Sequence, residues 1–308
     1  MNSNHVKKIG LLIGREWDWP SAFMKTINEQ TANITAELVK LGGTNLEESC
    51  PYDLIIDRMS HHIPYYRAYV QQAALQGCTI INNPFTWSAD NKFLGNSLAY
   101  RLGMATPRTV VLPNKYVQKD VVPDSFRNLV YPMDWQGIID YVGVPAIFKD
   151  IHSGGRRAVY RVHSVDELLD RYDETGTRTM ILQQIIESDF HVHCFVIGQE
   201  KVLPLRYSRE NGRYLPETLS ESAPLYREIT ANALKLTQIY GYDINMVEFV
   251  IKDNTPYVIN STNPAPVIDL SLMTQEQFDW CVQETVSLAI ARTERPLPAN
   301  PFNLDPLT

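Results

Sequence analysis

No apolar run in this chain approaches the ~20 residues that a membrane-spanning helix needs. The opening residues, MNSNHVKK, have neither the apolar core nor the cleavage site of a secretory leader. A basic surface is missing too: the net charge is −7, with no Lys/Arg run and no interleaving of basic and aromatic residues, which argues against nucleic acid as a partner. The four cysteines, Cys50, Cys78, Cys194 and Cys281, are scattered without C-x-x-C spacing, and are expected as reduced, mostly buried thiols of a cytoplasmic chain. G-x-G-x-x-G is absent, so a dinucleotide site has no support. Internal repeats and low-complexity tracts are absent as well. What remains is the composition of a soluble globular protein, 44% hydrophobic and 20% charged, whose 308 residues suit two or three small lobes or one large α/β domain.

Lys8–Gly14 (KIGLLIG) is a short apolar run ending in glycine, the pattern of a buried strand. Phe23, Ile27, Ile34 and Leu38 then recur at helical spacing and predict a helix running to about Lys40. Asp53–Asp57 reads as a second strand, Pro64–Gln76 as a helix closed by Gly77, and Thr79–Asn83 as a third strand. This βαβαβ order predicts a parallel sheet, and ligands of such sheets sit beyond the carboxyl ends of the strands. Arg15, Glu16, Arg58, Ser60, His61 and His62 fall there. They are either solvated loop residues or a substrate-recognition rim. His61 and His62, adjacent on an extended loop, are expected to point apart, which speaks against a metal pair.

Ser88-Ala89-Asp90 starts a helix to about Leu102 and places Lys92 in its first turn. A cation there opposes the helix dipole, which invites a functional explanation. Thr106–Leu112 is a strand, and Asn114–Tyr141 reads as irregular. Val144–Lys149 is a strand ending in lysine; Asp150–Arg157 is a Gly-containing loop, and Ala158–Val162 a returning strand. The tip of such a hairpin can fold over phosphates with backbone N–H donors, although Ser-Gly-Gly also serves as an ordinary turn. Lys149 offers phosphate a point charge. Ser164, with Glu167 three residues on, marks a capping box for a helix to Tyr172. Thr179–Ile186, His191–Ile197 and Lys201–Tyr207 follow as strands.

Asn245–Ile251 and Pro256–Ser261 flank a polar turn, Lys252–Thr255, and predict a β-hairpin. Alternation puts Met246, Glu248 and Val250 on one face and Val247, Phe249 and Ile251 on the other. Glu248 is then either a half-buried structural carboxylate or an oxygen ligand beside Asn260 and Asn263 at the end of the partner strand. Carboxylate and amide oxygens suit Mg²⁺, which keeps room for phosphates.

Taken in order, Asp90 and Lys92 at a helix start, strand-borne Lys149 with its Gly-rich loop, Gln183-Gln184-Ile185-Ile186, His191–Gly198, and Glu248 with Asn260 and Asn263 resemble the ATP-grasp superfamily of the glutathione-synthetase and RimK-like ligase type. The resemblance covers essentially the whole chain. It implies an α/β (α+β) ATP-grasp fold with a βαβαβ pre-ATP-grasp lobe at 1–88 and an ATP-grasp domain at 89–308. Within that domain the small nucleotide-closing lobe would span about 106–187 and the metal and substrate lobe about 188–295. Lys92 and Lys149 would contact phosphates and the adenine edge, and Ser153, Gly154, Gly155 and Arg156 would close over the β- and γ-phosphates. Gln183, Gln184 and Ile186 would line adenine, and Glu187 would lie near the ribose. Glu248, Asn260 and Asn263 would ligate Mg²⁺. Lys149 and Arg206 are the implied catalytic residues, Arg206 by forking onto an acyl-phosphate. Arg15, Glu16, Arg58, Ser60, His61, His193 and Arg209 are candidate substrate contacts, and Arg15, Arg58 and Arg209 suggest an anionic acceptor.

The implied activity is ATP- and Mg²⁺-dependent carboxylate–amine (or thiol) ligation through an acyl-phosphate, on small amino-acid- or peptide-like substrates. A small-molecule kinase and a non-catalytic nucleotide-binding regulator are the alternatives. Two residues depart from the family pattern. Asn260 stands where a carboxylate is usual, leaving Glu248 as the sure anionic ligand with Asp269 as a nearby substitute. His193, in His191-Val192-His193, stands where an arginine is usual, and the two histidines share a strand face as substrate contacts, satisfied polar residues or a metal pair. Oligomeric state is not legible.

Overall fold

A computed structural model describes residues 6–86, 91–116, 127–152 and 159–296. The chain divides into two units, one formed by Met1–Ala89, Phe190–Phe249 and Ser261–Thr308, the other by Asp90–Asp189 and Val250–Asn260.

The first unit opens with β1 (Lys7–Leu12), α1 (Asp18–Gln30), β2 (Ile34–Leu38), β3 (Leu54–Asp57), α2 (Pro64–Leu75) and β4 (Thr79–Ile81). Its parallel sheet has the order β2-β1-β3-β4. The predicted helix to Lys40 is corrected here: it stops at Gln30, and Ile34–Leu38 is a fourth strand. Phe23 and Ile27 keep helical spacing, but from Ile34 the burial alternates, with Ile34 and Ala36 inward and Thr35 and Glu37 outward. β-branched Thr31, Ile34 and Thr35 lose rotamer freedom in a helix and favour a strand. From β1 the chain crosses to β2 on one side, and from β3 to β4 on the other. The strand order therefore reverses between β1 and β3, where loops 13–17 and 58–63 emerge side by side.

The second unit carries α3 (Lys92–Arg101), β5 (Thr109–Leu112), α4 (Trp135–Val142), β6 (Ala146–Asp150), β7 (Val159–Val162), α5 (Val165–Asp173) and β8 (Met180–Gln184). The strands form an antiparallel sheet, β5-β8-β6-β7. One face is apolar: Phe148, Met180 and Leu182 pack with Ile139 and Val142 of α4 and Leu168 and Tyr172 of α5. Helix α4 corrects the expectation of an irregular stretch to Tyr141. Its cue was Asp134, whose carboxylate accepts from Gly137 N–H at the helix start. Ser164 caps α5 as expected, accepting from Glu167 N–H, while the Glu167 carboxylate reaches back one residue further, to His163 N–H.

The first unit resumes with β9 (Phe190–Ile197), β10 (Lys201–Ser208), β11 (Arg213–Tyr214), α6 (Pro224–Tyr240) and β12 (Ile244–Lys252). In the sheet the order runs β11-β10-β9-β12. The end of β12 belongs to the second unit and turns back as β13 (Thr255–Asn260) through Asp253 and Asn254, whose φ angles of 49° and 57° are those of a type I′ turn. Helix α7 (Gln275–Glu294) starts at a capping box made by Thr274 and Gln277. Phe278, Cys281, Val282, Val286 and Ala289 on α7 share a core with Trp19, Phe23 and Ile27 of α1. Neither α6 nor α7 was read from the sequence, although Pro224 and Gly241 bracket the first of them.

Asn82, buried just after β4, ties this unit together. Its amide oxygen accepts from Asp243 and Ile244 N–H, and its NH₂ donates to the carbonyls of Ile244 and Pro264. Among the described residues no helix is long and apolar enough to cross a membrane.

Candidate functional site

In the second unit, Lys149 and Gln183 lie on the sheet face opposite the apolar core. Gln183 pairs with Ile147, two residues before Lys149, so the two side chains are diagonal neighbours. Lys149 Nζ donates to Gln183 Oε1 at 2.8 Å. Gln183 Nε2 donates in turn to Thr109 Oγ1, which also accepts from Asn96 Nδ2, both at 3.1 Å. The relay fixes which end of the Gln183 amide faces the lysine. Asn96 and Thr109 were missed in the sequence. Asn96 is four residues after Lys92, one turn along α3, and that spacing was the available signal. Lys92 is the first residue of α3, behind the Asn91 N-cap, and its N–H donates to Ile151 O.

Gln184 points the other way and accepts from Arg108 N–H at 3.2 Å, fastening β8 to the chain leading into β5. Ile186 is partly buried and Glu187 exposed beyond the end of β8. Asn260 ends β13. Ser153, Gly154, Gly155 and Arg156 lie outside the described residues.

In the first unit, Glu248 is the one partly exposed residue in the buried run Ile244–Ile251. His193 Nε2 lies 4.0 Å from its carboxylate. The His193 ring stacks on Tyr207 with centroids 4.4 Å apart, and Nδ1 lies 3.2 Å from the Tyr214 hydroxyl. Burial pushes the His193 pKa down, with Glu248 opposing. Nε2 is on the Glu248 side of the ring and Nδ1 beside the Tyr214 hydroxyl. Burial, helped by Arg209 and His193, lowers His191 to about 4. No group of three or more His, Cys, Asp or Glu residues suited to a metal ion occurs among the described residues.

Arg206 on β10 lies over the Phe190 ring at 4.9 Å, and its buried Nε has no hydrogen-bond partner among the described residues. A buried donor left unmet costs about 1–3 kcal/mol, which an acceptor arriving there would recover. Fully buried Asn245 accepts from Asn263 N–H and donates to Ser261 O, holding the chain after β13 against β12. Asp269 accepts from Ser271 N–H, and its carboxylate caps that turn.

At the reversal between β1 and β3, Arg58 is buried. Its Nε and Nη2 fork onto both Glu16 oxygens, and Nη2 also donates to Pro266 O. Ser60 Oγ donates to the buried Asp57 carboxylate, which also accepts from Met59 and Ser60 N–H. The expectation that His61 and His62 point apart is corrected: a turn closed by His62 N–H to Met59 O brings their rings to 3.8 Å. Burial, with His62, Arg58 and Arg67 nearby, lowers His61 to about 3. Arg15 and Arg209 are exposed. A cavity of about 450 Å³ opens at the carboxyl ends of β1 and β2, lined among others by Glu16, Trp17, Met24, Lys40, Tyr65 and Tyr66.

No family model matches the sequence. Over 153 residues the chain is 28% identical to a D-alanine--D-alanine ligase of Ralstonia pickettii (strain 12J), a match spanning 42% of this chain and 46% of that relative. The whole fold resembles a RimK domain ATP-grasp protein of Sphaerobacter thermophilus DSM 20745, at 17% identity and a TM-score of 0.67 over 92% of this chain and 99% of that one. It also resembles the ATP complex of a D-alanine--D-alanine ligase from Bacillus anthracis, at 15% identity and a TM-score of 0.66 over 96% and 100% of the two chains. The chain has the ATP-grasp fold.

Within each unit some of the implied residues meet. Lys149 and Gln183 meet in the second unit; Glu248 and His193 meet in the first, where Arg58 holds Glu16. Gln184 is engaged by backbone, and Arg58 by Glu16 and Pro266.

Proposed function

We propose that this ATP-grasp protein is an ATP-dependent carboxylate–amine ligase acting on amino-acid-like substrates. The observation that carries the reading is Lys149, held by Gln183, Thr109 and Asn96 on a strand of an ATP-grasp fold. Lys149 would neutralise phosphate charge. Arg206, with its unmet buried N–H, suits an anionic oxygen. Glu248, Asn260 and Asn263, the residues the family resemblance implies, would hold Mg²⁺ through carboxylate and amide oxygens, and the ion would supply charge neutralisation at the phosphates.

In this reaction the substrate carboxylate oxygen attacks the γ-phosphorus of ATP, ADP leaves, and an acyl-phosphate forms. The amine nitrogen then attacks the acyl carbon, loses a proton and expels phosphate. The protein contributes position and electrostatics, with no covalent intermediate of its own. Arg58 gives Nε and Nη2 to Glu16 and Pro266 and keeps a buried Nη1 without a partner among the described residues, which suits a further anionic oxygen. The cavity offers Lys40 beside Trp17, Tyr65 and Tyr66, which suits the carboxylate of an amino acid with an apolar side chain.

The test is a screen of amino-acid pairs with ATP and Mg²⁺, read by phosphate release and product mass spectrometry. An amide product formed with stoichiometric phosphate supports the ligase. A stable phosphorylated compound would make the protein a kinase. Asn260 in place of the usual carboxylate favours a third reading, a nucleotide-binding regulator, for which calorimetry would give tight ATP binding and the screen no phosphate.

A further inference from the structure

Cys50 and Cys78 lie together at the amino-terminal edge of the parallel sheet. Cys78 immediately precedes β4 and Cys50 stands in the loop before β3, and both pack in the cluster around Tyr69, Val70 and Ala73 of α2. Gln76, two residues before Cys78, fixes the approach: its Oε1 accepts from Cys50 N–H at 2.7 Å and its Nε2 donates to Glu48 O at 2.9 Å. Thr79 N–H donates to Asp53 O and sets the strand ends in register. Each thiol perturbs the other's titration, and Cys50 Sγ is 3.9 Å from the Tyr69 hydroxyl. Cys78 is buried, whereas Cys50 is half-buried and lines a cavity of about 60 Å³ with Thr44, Glu48, Gln72 and Gln76. One water needs roughly 10–15 Å³ of such space. The cavity beside Cys50 therefore has room for hydrogen peroxide, about two waters in size.

We infer that Cys50 and Cys78 form a peroxide-oxidisable pair that closes to a reversible disulfide. The Cys78 thiol, the largest influence, holds Cys50 down at about 7, while Cys50 and burial push Cys78 up. Near neutral pH Cys50 is thus substantially thiolate, and Cys78 stays a thiol. The Cys50 thiolate attacks one peroxide oxygen, the O–O bond breaks, and hydroxide leaves to be protonated as water. The resulting Cys50 sulfenic acid is attacked by the Cys78 sulfur. An S–S bond forms, the S–O bond breaks, and the departing hydroxide takes the Cys78 proton as a second water. Two thiols are oxidised by two electrons and one peroxide is reduced. Both cysteines pack in one cluster, with Gln76, two residues from Cys78, holding the Cys50 backbone.

The experiment treats the full chain with a small excess of hydrogen peroxide and follows thiol titre and non-reducing peptide maps. Two of the four thiols should disappear together, a Cys50–Cys78 linked peptide should appear, and dithiothreitol should restore both. In Cys78→Ser the reaction should stop at a sulfenic acid on Cys50, trapped by dimedone. Cys50 should also react with a maleimide at pH 7 about tenfold faster than Cys194 or Cys281. If the wild-type map shows no linked peptide, or shows Cys50 oxidised to sulfinic acid instead, the proposal is overturned; this map decides even where the variant does not fold.

Discussion

Arg58 and Glu16, 42 residues apart, form a forked ion pair in which the arginine side chain is 1% exposed and the glutamate 17%. The guanidinium also donates to Pro266 O and lies over the Trp19 ring. Removing one partner of a buried pair leaves a desolvated charge. Arg58→Ala should therefore cost about 3–5 kcal/mol, whereas Arg15→Ala, on an exposed residue, should stay within about 0.5 kcal/mol. Urea unfolding of both variants checks this, and equal small losses would mean that Arg58 is a solvated rim residue after all.

Lys149 and Gln183 give a prediction on activity. Lys149→Ala should abolish ATP turnover while leaving the circular dichroism spectrum unchanged. Gln183→Leu keeps the lysine but removes a hydrogen bond to a charged group, worth about 1.5–3 kcal/mol, so turnover should fall roughly tenfold or more. Phosphate release in the presence of the substrates found by screening is the measurement. Unaltered turnover in Lys149→Ala would remove the main support for the ligase.

The same residues show what a sequence does and does not carry. The β12–β13 hairpin was legible because its information is local: β-branched runs, a polar Asp-Asn turn and an alternation interrupted by Glu248. Lys149 was legible for the same reason, as the polar end of an apolar strand. The overlong first helix arose because Ile34 and Leu38 satisfy a four-residue spacing and, with Ala36 between them, a two-residue alternation as well. Only the pairing of β2 with β1 decides between them. Arg58 is the converse case. Six polar residues in and around its loop looked alike in the sequence; folding buries Arg58 and Ser60, and Arg58 is held by a partner 42 residues away. Gln183 against Gln184 was a matter of which sheet face each occupies, which follows from the register of β8 on β6.

Buried histidines make a pH dependence of definite sign. His61 is lowered to about 3 and His191 to about 4 from 6.5, in both cases chiefly by burial. Below pH 6.5 the unfolded chain binds protons that the folded chain refuses, so stability is full above about 6.5 and falls as pH drops toward those values. Asp57 acts oppositely, since burial raises its carboxyl and its contribution weakens as pH rises through 3.8 and above. His61→Gln removes one histidine term without touching Asp57. The slope of melting temperature against pH between 6.5 and 4 should flatten in that variant relative to wild type; an unchanged slope would show that His61 is accessible to protons in the fold.

Under the proposed function, Asn260 would decide between a working ligase and a nucleotide binder. An amide gives a hard cation one oxygen and no charge, so Glu248 would carry the anionic share of Mg²⁺ binding alone. Asn260→Asp should therefore lower the Mg²⁺ concentration that half-saturates ATP turnover, by about tenfold for an added attraction near 1.4 kcal/mol. Magnesium titration at saturating ATP, in wild type and variant, measures it. A chain silent as wild type that turns over ATP as Asn260→Asp would be a binder made from a ligase by that one amide. A variant with the wild-type magnesium dependence would place Asn260 outside the metal's coordination.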